Sequence, residues 1–126
     1  MTYKWGKASQ DRLATCDKRL QDLANMMLER SDFDLTVTCG YRTKDEQEEA
    51  FKNGKSRAVF GKSKHNTFPS QAIDITPYPQ NWDKNDIRWW KMIALAYEVA
   101  RIKNIKIRSG AFFTSLCDYP HIEIVD

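Results

Sequence analysis

Between Ser9 and Leu28 the apolar residues Leu13, Cys16, Leu20, Leu23 and Met27 recur at intervals of three and four. That spacing lines one face of a helix, so the stretch predicts an amphipathic helix with Ser9 as a candidate cap. LTVTC (Leu35–Cys39) follows the polar ERSDFD and is β-rich, which predicts a strand. GYR then turns the chain. TKDEQEEAFKNG opens on Thr43 with Glu46 three residues on, the pair that makes a capping box, and closes on the helix-stop signal Asn53-Gly54. KSRAVFGKSKHNTFPS is rich in Gly, Ser, Lys and Asn and reads as a loop. AIDIT (Ala72–Thr76) has strand propensity, with Pro77 and Pro79 placed to end it. Asp83 or Asn85 is placed to cap a long helix through DIRWWKMIALAYEVARIKN. IKIRS (Ile105–Ser109) and HIEIV (His121–Val125) alternate as strands do.

The sum is three helices and about four strands, with neither a βαβ rhythm nor a run of hairpins. The expected fold class is α+β, three helices packed on a small, mostly antiparallel sheet. No internal repeat or low-complexity segment is visible. The 126 residues fit a single domain, 1–126, without a separate binding module.

Composition narrows the class. With 41% hydrophobic and 29% charged residues the chain is globular rather than disordered. Its net charge of +3 suits an anionic partner, nucleic acid or cell wall, and selects neither. The charges are spread, without the basic block of a nucleic-acid-binding tail. Three cysteines in no CxxC pair argue against a disulfide framework and for a reducing compartment. The N-terminal stretch is too polar for a secretory signal, and no apolar run reaches the length of a membrane span.

The chain has only two histidines, each near an aspartate and beside a strand. In AIDIT the alternation points Ile73 and Ile75 to one face and Asp74 to the other, nine residues after His65. In HIEIV, His121 and Glu123 share a face, and Asp118 stands three residues ahead of His121. Imidazole nitrogen and carboxylate oxygen suit zinc, which in catalytic sites takes three protein ligands and leaves a fourth position open. His65, Asp74 and His121 would supply three, leaving Asp118 or Glu123 as the base. A plainer account fits the same spacing: a loop histidine, a surface acid and a packed strand histidine.

SKHNTFPSQAIDI resembles the Ser-x-His…Ala-x-Asp signature of the D-alanyl-D-alanine metallopeptidase superfamily, and DYPHIEI resembles its acid-x-x-His segment. VTCGYRTKDEQEEAFKNGKS resembles the Gly-Tyr-Arg segment that precedes both. The three motifs run in order from about Phe33 to Val125. The long interval between His65 and Asp74, and aspartate in place of glutamate before YPH, resemble the branch containing phage L-alanyl-D-glutamate endolysins. The resemblance implies that His65, Asp74 and His121 bind Zn2+ in a cleft and that Asp118 is the general base. It implies that Arg42 holds a substrate carboxylate or steadies the oxyanion. Ser63 and Gln47 fall on substrate-side positions, and Glu123 reads as support for the ligands.

The implied activity is zinc-dependent hydrolysis of bacterial peptidoglycan stem peptides at the L-Ala–D-Glu bond, by a monomer that needs no nucleic acid or membrane. Such an endolysin waits in the host cytoplasm for a separate pore-former. The alternatives are a D,D- or L,D-carboxypeptidase trimming D-Ala, and a non-catalytic zinc-stabilised wall or virion module. The family's Gly-Gly-Asp-Trp-like stretch is reduced here to Gly110 within IRSGAFFTSLCDYPH, which bears on bond specificity. Cys117 reads as a small buried filler and Cys39 as core. One of Trp89 and Trp90 belongs in the core. Lys52, Lys55, Lys62 and Lys64 either attract an acidic partner or solvate a loop.

Overall fold

The computed structural model describes residues 2–114 and 117–126. The predicted first helix is two: α1 (Lys7–Leu13) and α2 (Lys18–Arg30). The apolar periodicity runs on through the break, but the backbone does not. Asp17 N–H donates to Ser70 O at 2.8 Å and Ser70 N–H donates to Thr15 O at 2.9 Å. Pairing with a distant segment therefore outweighs one more helical turn. Asp17 then caps α2, its carboxylate accepting from Arg19 N–H at 2.9 Å. Ser9 is not the cap. It is buried inside α1, its hydroxyl accepting from Val37 N–H at 3.0 Å, and Gly6 occupies the cap position.

The remaining elements are β1 (Asp34–Cys39), α3 (Lys44–Lys52), β2 (Ala72–Tyr78), α4 (Ile87–Lys103), β3 (Ile107–Ser109) and β4 (His121–Ile124), with short 3-10 turns at Lys64–Asn66 and Gly110–Phe112. Thr43 and Glu46 close the expected capping box on α3. Asp86, rather than Asp83 or Asn85, caps α4, accepting from Arg88 N–H at 3.0 Å. β3 starts two residues later than its alternation suggests, because Ile105 N–H donates to Ala100 O and finishes the helix end.

The four strands form an antiparallel sheet in the order β1-β2-β4-β3. β2 passes through Pro77 instead of stopping before it. Ile75 N–H points at Pro120 O, so Pro77 two residues on faces the same side, where β4 has ended and no ladder bond is lost.

Helices α2 and α4 cover one face of the sheet. Leu20, Leu23, Met27, Trp89, Met92 and Val99 pack there on Val37, Ile73, Ile75, Ile122 and Ile124. Trp89 is buried and Trp90 is 44% exposed, so their split between core and surface is as the helix geometry requires. The opposite face is set by register. Ile73 pairs with Ile122 on the core side, which puts the directly paired Asp74 and His121, and Ala72 and Glu123, on the other.

Gly40 is the tightest point of this arrangement. A Cβ there would collide with Thr15 Oγ1 and the Arg12 carbonyl and come within 3.0 Å of Cys16 Sγ. Gly40→Ala should therefore lower stability by about 1–3 kcal/mol through overpacking. Urea unfolding checks this: a lower midpoint at unchanged slope is expected, and an unchanged midpoint would show that the α1–α2 junction yields freely.

Candidate metal centre

The 3-10 turn that carries His65 is capped from the side. Ser63 Oγ accepts from His65 N–H at 3.2 Å, and Asn66 Oδ1 accepts from Ser63 N–H at 3.3 Å. This holds the His65 ring over the open face of β2 and β4. Its Nδ1 lies 2.8 Å from the Gly40 carbonyl, an acceptor, which assigns the ring proton to that nitrogen. The Nε2 lone pair is left facing inward, 3.2 Å from Asp74 Oδ1 and 3.2 Å from His121 Nδ1. His121 is oriented by the same logic. Its Nε2 donates to Glu123 Oε1 at 2.8 Å, so Nδ1 turns inward and lies 3.6 Å from Asp74 Oδ1.

Three acceptor atoms thus converge with edges of 3.2, 3.2 and 3.6 Å. Without an ion these atoms are reconciled by a proton, which the raised His65 imidazole supplies toward Asp74. With both imidazoles neutral no hydrogen lies between them, and a metal ion would take the proton's place. Donors about 2.0–2.1 Å from a tetrahedral zinc stand about 3.3 Å apart, so the triangle fits such an ion. Asp74, Asp118 and His121 also form a set close enough to share an ion. The local electrostatics agree. Burial works against a charge on His65, yet the Asp74 carboxylate outweighs it and raises the imidazole to about 10. Asp74 is buried too, and the two imidazoles still hold it well below the usual carboxylate range. The centre asks for positive charge.

Asp118 stands beside the triangle, its Oδ2 3.9 Å from His121 Nδ1. Burial, then the neighbouring Asp74 charge, push its carboxyl up to about 6. Gly110 sets its backbone: the Gly110 carbonyl accepts from Asp118 N–H at 2.9 Å, and a Cβ on Gly110 would meet both Asp118 and His121. Phe113 packs on the His121 ring with centroids 5.2 Å apart, in the stretch where the Gly-Gly-Asp-Trp pattern is missing.

Arg42 lies at the cavity wall, with Nη1 donating to Gln47 Oε1 at 2.9 Å and Nη2 3.7 Å from Asp74 Oδ2. Ser63 lines the same cavity while capping the His65 turn. Gln47 does not line it. It is wholly buried behind Arg42, and its amide donates to Ser56 Oγ and the Ala58 carbonyl. Glu123 supports His121 as described, and Lys64 Nζ comes within 3.9 Å of its Oε2. The cavity, about 320 Å³, is lined by Asp118, His121, His65, Glu123 and Phe113 together with Arg42, Lys55, Arg57, Lys62 and Lys64.

Both cysteine expectations need correction. Cys117 is exposed. Cys39 is only half-buried and stands at the candidate metal centre, its Sγ 3.8 Å from His65 Nδ1 and accepting from Arg42 Nη2 at 3.7 Å. Alternation from Leu35 and Val37 puts residue 39 in the core, but the register shifts between Val37 and Cys39, so Cys39 sits opposite Asp74. A bulge of this kind moves the following side chain to the other face, and nothing in LTVTCG announces it.

The description of phage L-alanyl-D-glutamate peptidases matches this chain over residues 1–125. The chain is 38% identical to the L-alanyl-D-glutamate peptidase of Escherichia phage T5 over 127 residues, covering 98% of this chain and 90% of that protein. Its fold is similar to the crystal structure of the Serratia marcescens L-Ala D-Glu endopeptidase ChiX, with a TM-score of 0.80 at 21% identity, covering 97% of this chain and 90% of the other.

If the centre takes Zn2+ and Glu123 fixes the His121 tautomer, Glu123→Ala should weaken that binding by about tenfold to a hundredfold while the fold persists. Competition against a chromophoric chelator, with circular dichroism in parallel, measures this. An unchanged dissociation constant would mean that the sheet alone orients the ring.

Proposed function

The chain belongs to the phage L-alanyl-D-glutamate peptidase family, and on that premise we propose that it is a zinc-dependent endolysin cleaving the L-Ala–D-Glu bond of the peptidoglycan stem. That it is a peptidoglycan peptidase follows from the family. The metal, the bond and the residue roles are our reading. The observation that carries them is the triangle of inward lone pairs with a carboxyl of raised pKa beside it.

His65 Nε2, Asp74 Oδ1 and His121 Nδ1 would hold the zinc. When bound, it supplies Lewis acidity to the scissile carbonyl and to the attacking water. Asp118 takes the proton from that water and returns it to the departing D-Glu nitrogen. Its burial suits the task, since a carboxyl near neutrality both accepts and gives a proton. Arg42, braced by Gln47, presents its guanidinium to a substrate carboxylate or the developing oxyanion. Among the described residues no helix is long and apolar enough to cross a membrane. Access to the wall is assigned in this reading to a separate pore-former, as for the endolysins the chain resembles.

Purified peptidoglycan digested by the zinc-loaded protein should release peptides that begin with D-Glu and leave L-Ala on the glycan. Asp118→Asn should lower the rate by about 10²–10⁴-fold with zinc content unchanged. Mass analysis of the products and metal analysis of both proteins check this. Released D-Ala would assign a carboxypeptidase instead, and an intact wall after treatment with zinc-loaded wild type would remove the lytic reading.

A further inference from the structure

Five cations and two carboxylates line the cavity: Arg42, Lys55, Arg57, Lys62 and Lys64 against Asp118 and Glu123. The mechanism uses Arg42 and Asp118, and Lys64 and Glu123 approach each other. Lys55, Arg57 and Lys62 form no ion pair among the described residues. Lys55 also borders a groove carrying Asp45, Glu46 and Glu49, which leaves Arg57 and Lys62 as the exposed cavity-lining cations that border no second acidic groove.

Cations that only solvate a loop need no fixed backbone. These two have one. Gln47 Nε2 donates to Ser56 Oγ at 2.9 Å and to Ala58 O at 2.6 Å, bracketing Arg57. Asn66 Oδ1 accepts from Gly61 N–H at 3.0 Å and from Ser63 N–H at 3.3 Å, bracketing Lys62. The two amides are themselves joined, Asn66 Nδ2 donating to Gln47 Oε1 at 3.2 Å. One amide pair, Gln47 buried and Asn66 half-buried, therefore fixes the backbone that carries both cations relative to Arg42 and to the His65 turn.

The chemistry of the stem says what such a pair would meet. On the amino side of an L-Ala–D-Glu bond, the alanine is amide-linked to the sugar's lactyl group and carries no carboxylate. Every free carboxylate lies on the departing side, on D-Glu and on the residues after it. Resting on the peptidase reading above, we propose that Arg57 and Lys62 form a subsite for the free carboxylate borne by the residue after D-Glu, so that stems amidated there are poor substrates.

The test uses two muramyl tripeptides, N-acetylmuramyl-L-Ala-γ-D-Glu-meso-diaminopimelate with the α-carboxyl of the third residue amidated in both, as the peptide bond leaves it in a stem, and its side-chain carboxylate free or amidated. D-Glu keeps its own carboxylate in both. With the zinc-loaded wild type, amidation should raise KM about five- to tenfold, the size expected of two partly exposed charge pairs, with kcat nearly unchanged. In Arg57→Ala/Lys62→Ala the two peptides should share one raised KM, and Arg57→Lys/Lys62→Arg should restore the gap. Equal KM values in the wild type would overturn the subsite, and this comparison needs no variant to fold. A gap that persists in the double alanine variant would also overturn it. Failure to cut either peptide or purified peptidoglycan would overturn the peptidase reading itself.

Discussion

In their deprotonated form the inward lone pairs of His65, Asp74 and His121 face one another, and only a proton or a metal ion between them relieves the repulsion. Holding them within 3.6 Å is a standing cost, and the surrounding structure is arranged to offset it. Each imidazole is fixed from behind by an acceptor, the Gly40 carbonyl for His65 and the Glu123 carboxylate for His121. Those outer bonds choose the tautomers, and the tautomers decide which nitrogens face the centre. Asp74 needs no separate brace, because it is the direct cross-strand partner of His121 in a sheet whose other face is sealed by α2 and α4.

The same economy shapes the approach to the centre. The bulge at Val37–Cys39 turns the end of β1 toward the cavity, and Gly40 then passes close to Thr15 and Cys16 while offering its carbonyl to His65. Arg42 follows two residues later, with its backbone N–H on the His65 carbonyl at 2.8 Å. Gln47 joins this segment to the loop beyond α3. Side chains that would otherwise be separate contacts are therefore joined in one hydrogen-bonded network.

Much of this was legible in the sequence where period-two alternation held. Ile73 and Ile75 against Asp74, and Ile122 against His121 and Glu123, gave the two faces correctly. The capping box at Thr43 was equally plain, since it needs only residues three apart. What could not be read was tertiary. The helix breaks before Lys18 because Asp17 and Ser70 pair, fifty-three positions apart by their numbering. Cys39 changes face at a bulge with no residue signature, and Pro77 stays in its strand because a neighbour ends. Gln47 was visible as a residue of interest, but whether it meets a ligand or braces Arg42 depends on the depth of burial, which spacing does not encode.

β4 comes last among the strands in chain order yet lies inside the sheet, between β2 and β3. Until it docks, β2 and β3 have no common neighbour, and His121 and Glu123 are absent from the centre. A partial chain that stops before β4 thus has His65 and Asp74 but not the third member of the proposed ligand set. Long-range pairings of this kind are made late and slowly. If these residues hold a metal as proposed, competence to bind it waits on the docking of β4, and no copy that lacks this strand would bring the three side chains together.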